Sequence, residues 1–434
     1  MRRVILVGIV LSVGFAAYVF SKRAPGPVST PSGSPAAAVS EYVDSEECAS
    51  CHADVAETYK RTGMGRSFFR PAAANTVEDF RTKNTFYHAA SDRHYTLVDR
   101  DGRYFQKRHQ LGPDGKQTNI AEDEVHYVLG SGNHARTYLH QTEQKKLVEL
   151  PIAWYAEKGG YWGMNPGYDW KHHSDFRRKI TMECVFCHNG YPNSKSDSDR
   201  ADMEAVFPSG VPEGIDCQRC HGPGGAHVRA PQAANIVNPA KLSRDRNLEV
   251  CMQCHLETTS APLPYAVRRV GRGVFSYKPG EALSDYAIHF DHASGTGHDD
   301  KFEIAGSAYR LRKSLCFQKS DTMTCTTCHN PHNVPRGEEA TRHYVSVCKS
   351  CHGDMAQLVA ARKHTASEDC LGCHMPKRRT DDVVHAVMTD HYIQRRTPSR
   401  DLLAPLAEDH GPHANQYKGE VVVYYPPASS LILL

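Results

Sequence analysis

The chain has 434 residues, 40% of them hydrophobic, with 32 glycines, 25 prolines and a formal net charge of +3 at pH 7. That length suffices for two or three domains, and the interspersed, nearly balanced charge leaves no basic footprint for nucleic acid. The apolar share is low for a core of this size, whereas histidine is in excess at 26 copies.

Residues 1–23 read MRRVILVGIVLSVGFAAYVFSKR, with Arg2 and Arg3 ahead of an uncharged apolar run of seventeen residues, Val4 to Phe20. The run is short for a spanning helix and long for the apolar part of a secretion signal. Ser21-Lys22-Arg23 follows it directly, and the nearest small-residue cleavage candidate, Ala36-Ala37-Ala38, lies far downstream. We read 1–23 as a membrane anchor, with a cleaved signal segment as the alternative. Residues 24–41, rich in Pro, Ser and Ala, form a flexible linker.

A pentapeptide Cys-x-x-Cys-His then recurs seven times: Cys48, Cys51, His52; Cys184, Cys187, His188; Cys217, Cys220, His221; Cys251, Cys254, His255; Cys325, Cys328, His329; Cys348, Cys351, His352; and Cys370, Cys373, His374. Two cysteines at this gap join both vinyl groups of a haem, and the next His binds its iron. Structural zinc would need a second ligand pair and no His after each second Cys, and a disulfide scaffold would show no constant gap. The expectation is seven covalently bound haem c groups, using fourteen of the fifteen cysteines. Cys316 is left over and reads as a buried thiol.

Cys184 stands 132 residues after His52, the longest gap between motifs. His94 to Val98, the Asp101-Gly102 turn and Arg103 to Gln106 read as a hairpin, and Val125 to Leu129 as a strand. Residues 80–165 are therefore expected to form a small β-rich insertion. Motifs two to four start 33 and 34 residues apart, and motifs five to seven 23 and 22 apart. The segmentation is 42–175 (first motif plus insertion), 176–260 (haem module), 261–315 (connection), 316–395 (haem module) and 396–434 (tail, with a strand at 419–425). The fold class expected is mainly α with low regular structure, short helices carrying the motifs.

A low-spin haem needs a second axial ligand, His or Met. Candidates are His134, His227, His298, His332, His364, His385 and His391, with Met64 as a thioether alternative and His289, His292 and His343 in reserve. His332 lies three residues from His329, too close to serve the same iron, so it is assigned to a neighbour, and His227 stands likewise to His221.

The stretches Cys217 to His227 (CQRCHGPGGAH), Cys325 to His332 (CTTCHNPH) and Cys370 to Lys377 (CLGCHMPK) resemble bacterial multihaem cytochromes of the c-552/4 and doubled-CXXCH type. Cys-His-Met-Pro is also similar to pentahaem nitrite reductases and octahaem relatives. Gly130-Ser131-Gly132-Asn133-His134, Phe186 to Pro192 and Thr389-Asp390-His391 resemble the cytochrome part of proteins in which the Tyr424-Tyr425-Pro426 region leads into tetratricopeptide repeats. The resemblance implies a multihaem cytochrome c fold and electron transfer between redox partner proteins, a donor and an acceptor. Related nitrite reductases carry Lys in place of the proximal His at the active haem, and here all seven motifs keep His, which disfavours that activity.

The function expected is therefore an electron carrier, periplasmic or otherwise extracytoplasmic, since this type of haem attachment takes place there. The alternative is a multihaem oxidoreductase of nitrite, hydroxylamine or sulfite class. That enzyme would need one open haem and a basic pocket, for which Arg177, Arg178 and Lys179, or Arg310 and Arg312, are candidates.

Overall fold

Helix is a minority state in this chain. The computed structural model describes residues 41–192, 194, 198–199, 203–258, 265–367, 369–411 and 419–427. The anchor or signal segment 1–23 and most of the linker lie outside them. Helix makes up 28% against 20% strand, the strands lying in antiparallel sheets, so the expectation of a mainly α protein is corrected. The reason is local. A Cys-x-x-Cys-His unit needs a single helical turn, and most helices carrying one are of four to eight residues. The chain between them is free to pair as strands wherever aromatic and β-branched residues alternate.

The first half supplies most of the strands: β1 (Phe68–Phe69), β2 (Thr85–His88), β3 (Arg93–Arg100), β4 (Arg103–Leu111), β5 (Gln117–Glu124), β6 (Tyr127–Leu129), β7 (Ala135–Gln141), β8 (Leu147–Glu149), β9 (Ile152–Tyr155), β10 (Tyr161–Met164) and β11 (Arg178–Lys179). Strands β2 to β5 form a meander, and the others join around β7 in a seven-stranded sheet. Alternation decides which face is buried: on β3, Tyr95 and Leu97 are covered, and on β4, Tyr104 and Gln106. Gln106 survives there because its side-chain amide pairs with both backbone groups of Ile152, at 2.8 and 3.1 Å.

Later strands are short closures. β12 (Ala266–Arg268), β13 (Ala287–His292) and β16 (Val421–Tyr425) form one sheet, and β14 (Lys377–Arg379) with β15 (Val387–Thr389) another. The described residues from 42 onward form one compact unit. Among the described residues, no helix is long and apolar enough to cross a membrane.

Two buried charge groups bear on stability. Arg136 and Glu78 are each 2% exposed, with Nη1 of Arg136 donating to Glu78 Oε1 at 3.1 Å and Oε2 at 2.9 Å. Tyr138 donates to the same carboxylate at 2.5 Å. Glu78→Ala leaves the guanidinium buried and unpaired, so urea denaturation should show a loss of about 3–5 kcal/mol. An unchanged midpoint would contradict the pairing.

Glu303, 1% exposed, sits beside the half-buried Asp382 and Glu257. Burial, then Asp382 and Glu257, push its carboxyl well above the usual carboxylate range. The native state therefore keeps a proton that the unfolded chain releases, and stability falls as pH rises above that ordinary range. Thermal unfolding of Glu303→Gln should lose less Tm than the parent between about pH 5 and pH 8. An equal loss in both would contradict the assignment.

Candidate haem-attachment sites

All seven motifs lie on helical turns, from Ser45–Cys51 through Met182–Phe186, Gln218–His221, Arg244–His255, Cys325–Cys328 and Gly337–Cys351 to Cys370–His374. On a helix, residues three apart share a face, so both cysteines of a motif point the same way with the His just beyond. None of the fifteen cysteines is joined to another in a disulfide. Sulfurs of different motifs meet: Cys48 with Cys217, Cys187 with Cys254, and Cys251 with Cys325.

The histidines show the most ordered geometry. Four motif imidazoles face a second imidazole: His52 and His227 at 6.4 Å between ring centres, His221 and His332 at 5.8 Å, His329 and His391 at 6.1 Å, and His374 and His364 at 5.9 Å. Two imidazoles sharing one metal at about 2 Å from each nitrogen stand roughly 6 Å apart, centre to centre. Direct stacking would bring them much closer, as His292 and His298 do at 3.6 Å.

The outer nitrogens of six of these eight rings are engaged. Nδ1 of His221 bonds the Val237 carbonyl at 2.8 Å, that of His227 the Gln232 carbonyl at 3.0 Å, and that of His374 the Gln394 carbonyl at 2.6 Å. His364 bonds the Thr365 carbonyl at 2.7 Å and His391 that of Thr389 at 3.2 Å, while His329 Nδ1 pairs with the Tyr344 hydroxyl at 3.0 Å. Such bonds fix the tautomer that leaves Nε2 bare for a metal. Burial holds His188 and His391 down to about 4 and lowers His134, His255, His329 and His332 as well. These rings are neutral at pH 7, the form that ligates.

The donor set fits haem. Among the described residues no group of three or more His, Cys, Asp or Glu is arranged to hold a metal ion. Facing pairs of imidazoles suit a metal whose remaining ligands come with its own macrocycle.

Other candidates lie elsewhere. His134 follows Gly130, whose φ of +105° and a would-be Cβ 2.5 Å from the Ala135 carbonyl admit only glycine. Its Nδ1 bonds the Val387 carbonyl at 2.9 Å. His385 is engaged on Tyr155, 5.1 Å away, with Nε2 at 3.5 Å from Asp169. His298 stacks on His292, and Nε2 of His343 is taken by the Cys328 carbonyl at 2.9 Å. The Met64 carbonyl accepts from Ile215 N–H at 3.1 Å, tying motif one to the chain before motif three. Among the described residues, His188, His255 and His352 face no second imidazole at the spacing of the four pairs. The Cys316 thiol is half-buried, and its pKa is pushed up by burial.

Arg310 is a supporting residue that local sequence did not disclose. At 1% exposure, it grips Asp390 through Nε at 2.9 Å and Nη2 at 2.6 Å. Asp390 also accepts from Tyr392 N–H at 2.9 Å, so the ion pair braces the turn that presents His391. The partners are 80 residues apart, and only folding reveals the pairing. Of the other basic candidates, Arg178 pairs with Glu149 at 2.8 Å, Lys179 pairs with Glu204, and Arg312 donates to the Tyr424 hydroxyl at 3.2 Å.

Residues 319–357, holding motifs five and six, match the doubled CXXCH motif family. The chain is similar to multiheme cytochrome MtrA of Shewanella baltica, 23% identical over 42% of this chain and 55% of that protein. It is similar to dissimilatory sulfite reductase MccA of Wolinella succinogenes, 23% identical over 54% of this chain and 33% of the relative. High-molecular-weight cytochrome c of Nitratidesulfovibrio vulgaris is also 23% identical, over 48% of this chain and 39% of the relative. The chain thus spans between a third and about half of these relatives, and no solved structure matches it.

These likenesses support a multihaem c-type cytochrome. Covalently bound haem c follows at the same coarse level. The c-552/4 type and the tetratricopeptide association are not carried by the matches.

Replacing His227 by Met should raise one component of the reductive titration, since a thioether ligand favours ferrous iron. His343→Ala should leave the titration curve of the parent unchanged. A His227→Met curve identical to the parent would remove that residue from the ligand set.

Proposed function

We propose that the chain is a heptahaem c-type cytochrome passing electrons along neighbouring haems outside the cytoplasm, between a donor and an acceptor protein. Residues 1–23 are proposed to hold it at the inner membrane, and 176–260 and 316–395 to act as its two three-haem modules.

One observation carries the reading: facing imidazoles come from different motifs. His227, just after motif three, faces the histidine of motif one, and His332, just after motif five, faces that of motif three. His391, beyond motif seven, faces that of motif five. His227 lies six residues past His221, His332 three past His329 and His391 seventeen past His374, so each crossing ties two attachment sites through one connecting stretch of chain. Haem would supply the one-electron iron chemistry. The protein's part is to hold both axial rings and fix their tautomers through Nδ1.

The second reading, a multihaem reductase of a small oxyanion, has one observation in its favour, the MccA likeness over 54% of this chain. Intact mass and low-temperature EPR of the oxidised protein separate the two. The conduit reading expects seven covalent haems, all low-spin, and no carbon monoxide bound after reduction. Fewer than seven haems would contradict the motif assignment. Stoichiometric carbon monoxide binding at one haem would favour the reductase.

A further inference from the structure

Arg219 occupies the second x position of motif three, on the helix Gln218–His221, and is 2% exposed. Its guanidinium lies over three aromatic rings, 4.2 Å from the centre of Phe186, 4.8 Å from Phe275 and 5.2 Å from Tyr191. Nη2 donates to the Phe186 carbonyl at 2.9 Å, whereas Nε and Nη1 are buried with no hydrogen-bond partner. Asp216 is near enough to act on the guanidinium, yet its carboxylate accepts from the Arg219 backbone N–H at 3.1 Å.

The same residue joins three motifs. Phe186 belongs to motif two, and Gln253 of motif four donates from Nε2 to the Arg219 carbonyl at 3.0 Å. The guanidinium rests against the Cys254 sulfur and close to that of Cys187, two sulfurs that also meet each other. A guanidinium keeps its proton at any physiological pH, and in a poorly polarisable interior its field is weakly screened. Aromatic faces attract the cation without neutralising it. A haem gains one negative charge on reduction, so a fixed cation at its thioether edge favours the reduced form.

We propose that Arg219 sets redox potential: its buried cation raises the reduction potential of the haems attached at motifs two and four, making that junction the place where electrons collect. This rests on the reading that both motifs carry haem.

The test is a spectroelectrochemical titration of the holoprotein and its Arg219→Met and Arg219→Lys variants, each first checked for haem content by intact and peptide mass. Arg219→Met should keep the parent's haems and shift two components to lower potential, while Arg219→Lys should shift them much less. A Met variant that titrates like the parent overturns the proposal. So does a Lys variant that falls as far as the Met variant, since packing rather than charge would then be responsible. If Arg219→Met does not mature, Arg219→Gln decides, because it removes the charge and keeps a polar side chain. The same two components should fall, and unchanged potentials overturn the proposal. A parent lacking haem at motif two or four, visible by mass before any titration, refutes the haem assignment instead.

Discussion

Two imidazoles held roughly 6 Å apart, with their outer nitrogens tied to the chain, are the constraint on which the rest of this structure depends. Three of the four pairs bring together residues from separate segments, and all four hold the two rings at that spacing. Neither demand is met by a long helix or a continuous sheet. The chain meets it with single helical turns for the motifs and with anchoring acceptors such as the Val237 and Gln394 carbonyls. Small sheets hold the crossing segments in register. The modest apolar content fits a chain whose two cores are rich in aromatic rings, with Val185 and Phe186 of motif two and Met252 of motif four packed into the first.

Polar burial follows from the same demand. The turn that offers His391 is braced by Arg310 and Asp390, each 1% exposed. Arg219 is sunk among aromatic rings where motifs two, three and four converge. Buried charge is seldom a source of net stability, so its presence beside the attachment sites points to positioning and electrostatics. Arg310 is neutralised and braces the turn that presents His391. Arg219 keeps two N–H groups unpaired, and its field reaches whatever is bound at the neighbouring cysteines.

What the sequence could and could not disclose follows from the range of each interaction. Cys-x-x-Cys-His is read within five residues, and covalent haem attachment was legible from it. The crossings of His227 and His332 were foreseeable because each sits too near its own motif histidine to cap the same iron. The fold class was misjudged because the motif demands only one turn of helix, and that says nothing of the long segments between. The short pairings β12–β13–β16 and β14–β15 close over distances that no local pattern encodes. His385 has the composition of a ligand, but Asp169 beside it comes from far along the chain, whereas His298 stacks on His292 only six residues earlier.

The account stands most directly on where the irons lie. Anomalous scattering at the iron edge from crystals of the mature protein would locate them. The account predicts one iron between His52 and His227, one between His221 and His332, one between His329 and His391, and one between His374 and His364. Irons at motifs one, three and five capped by ligands from their own segments, with these facing rings unligated, would contradict it.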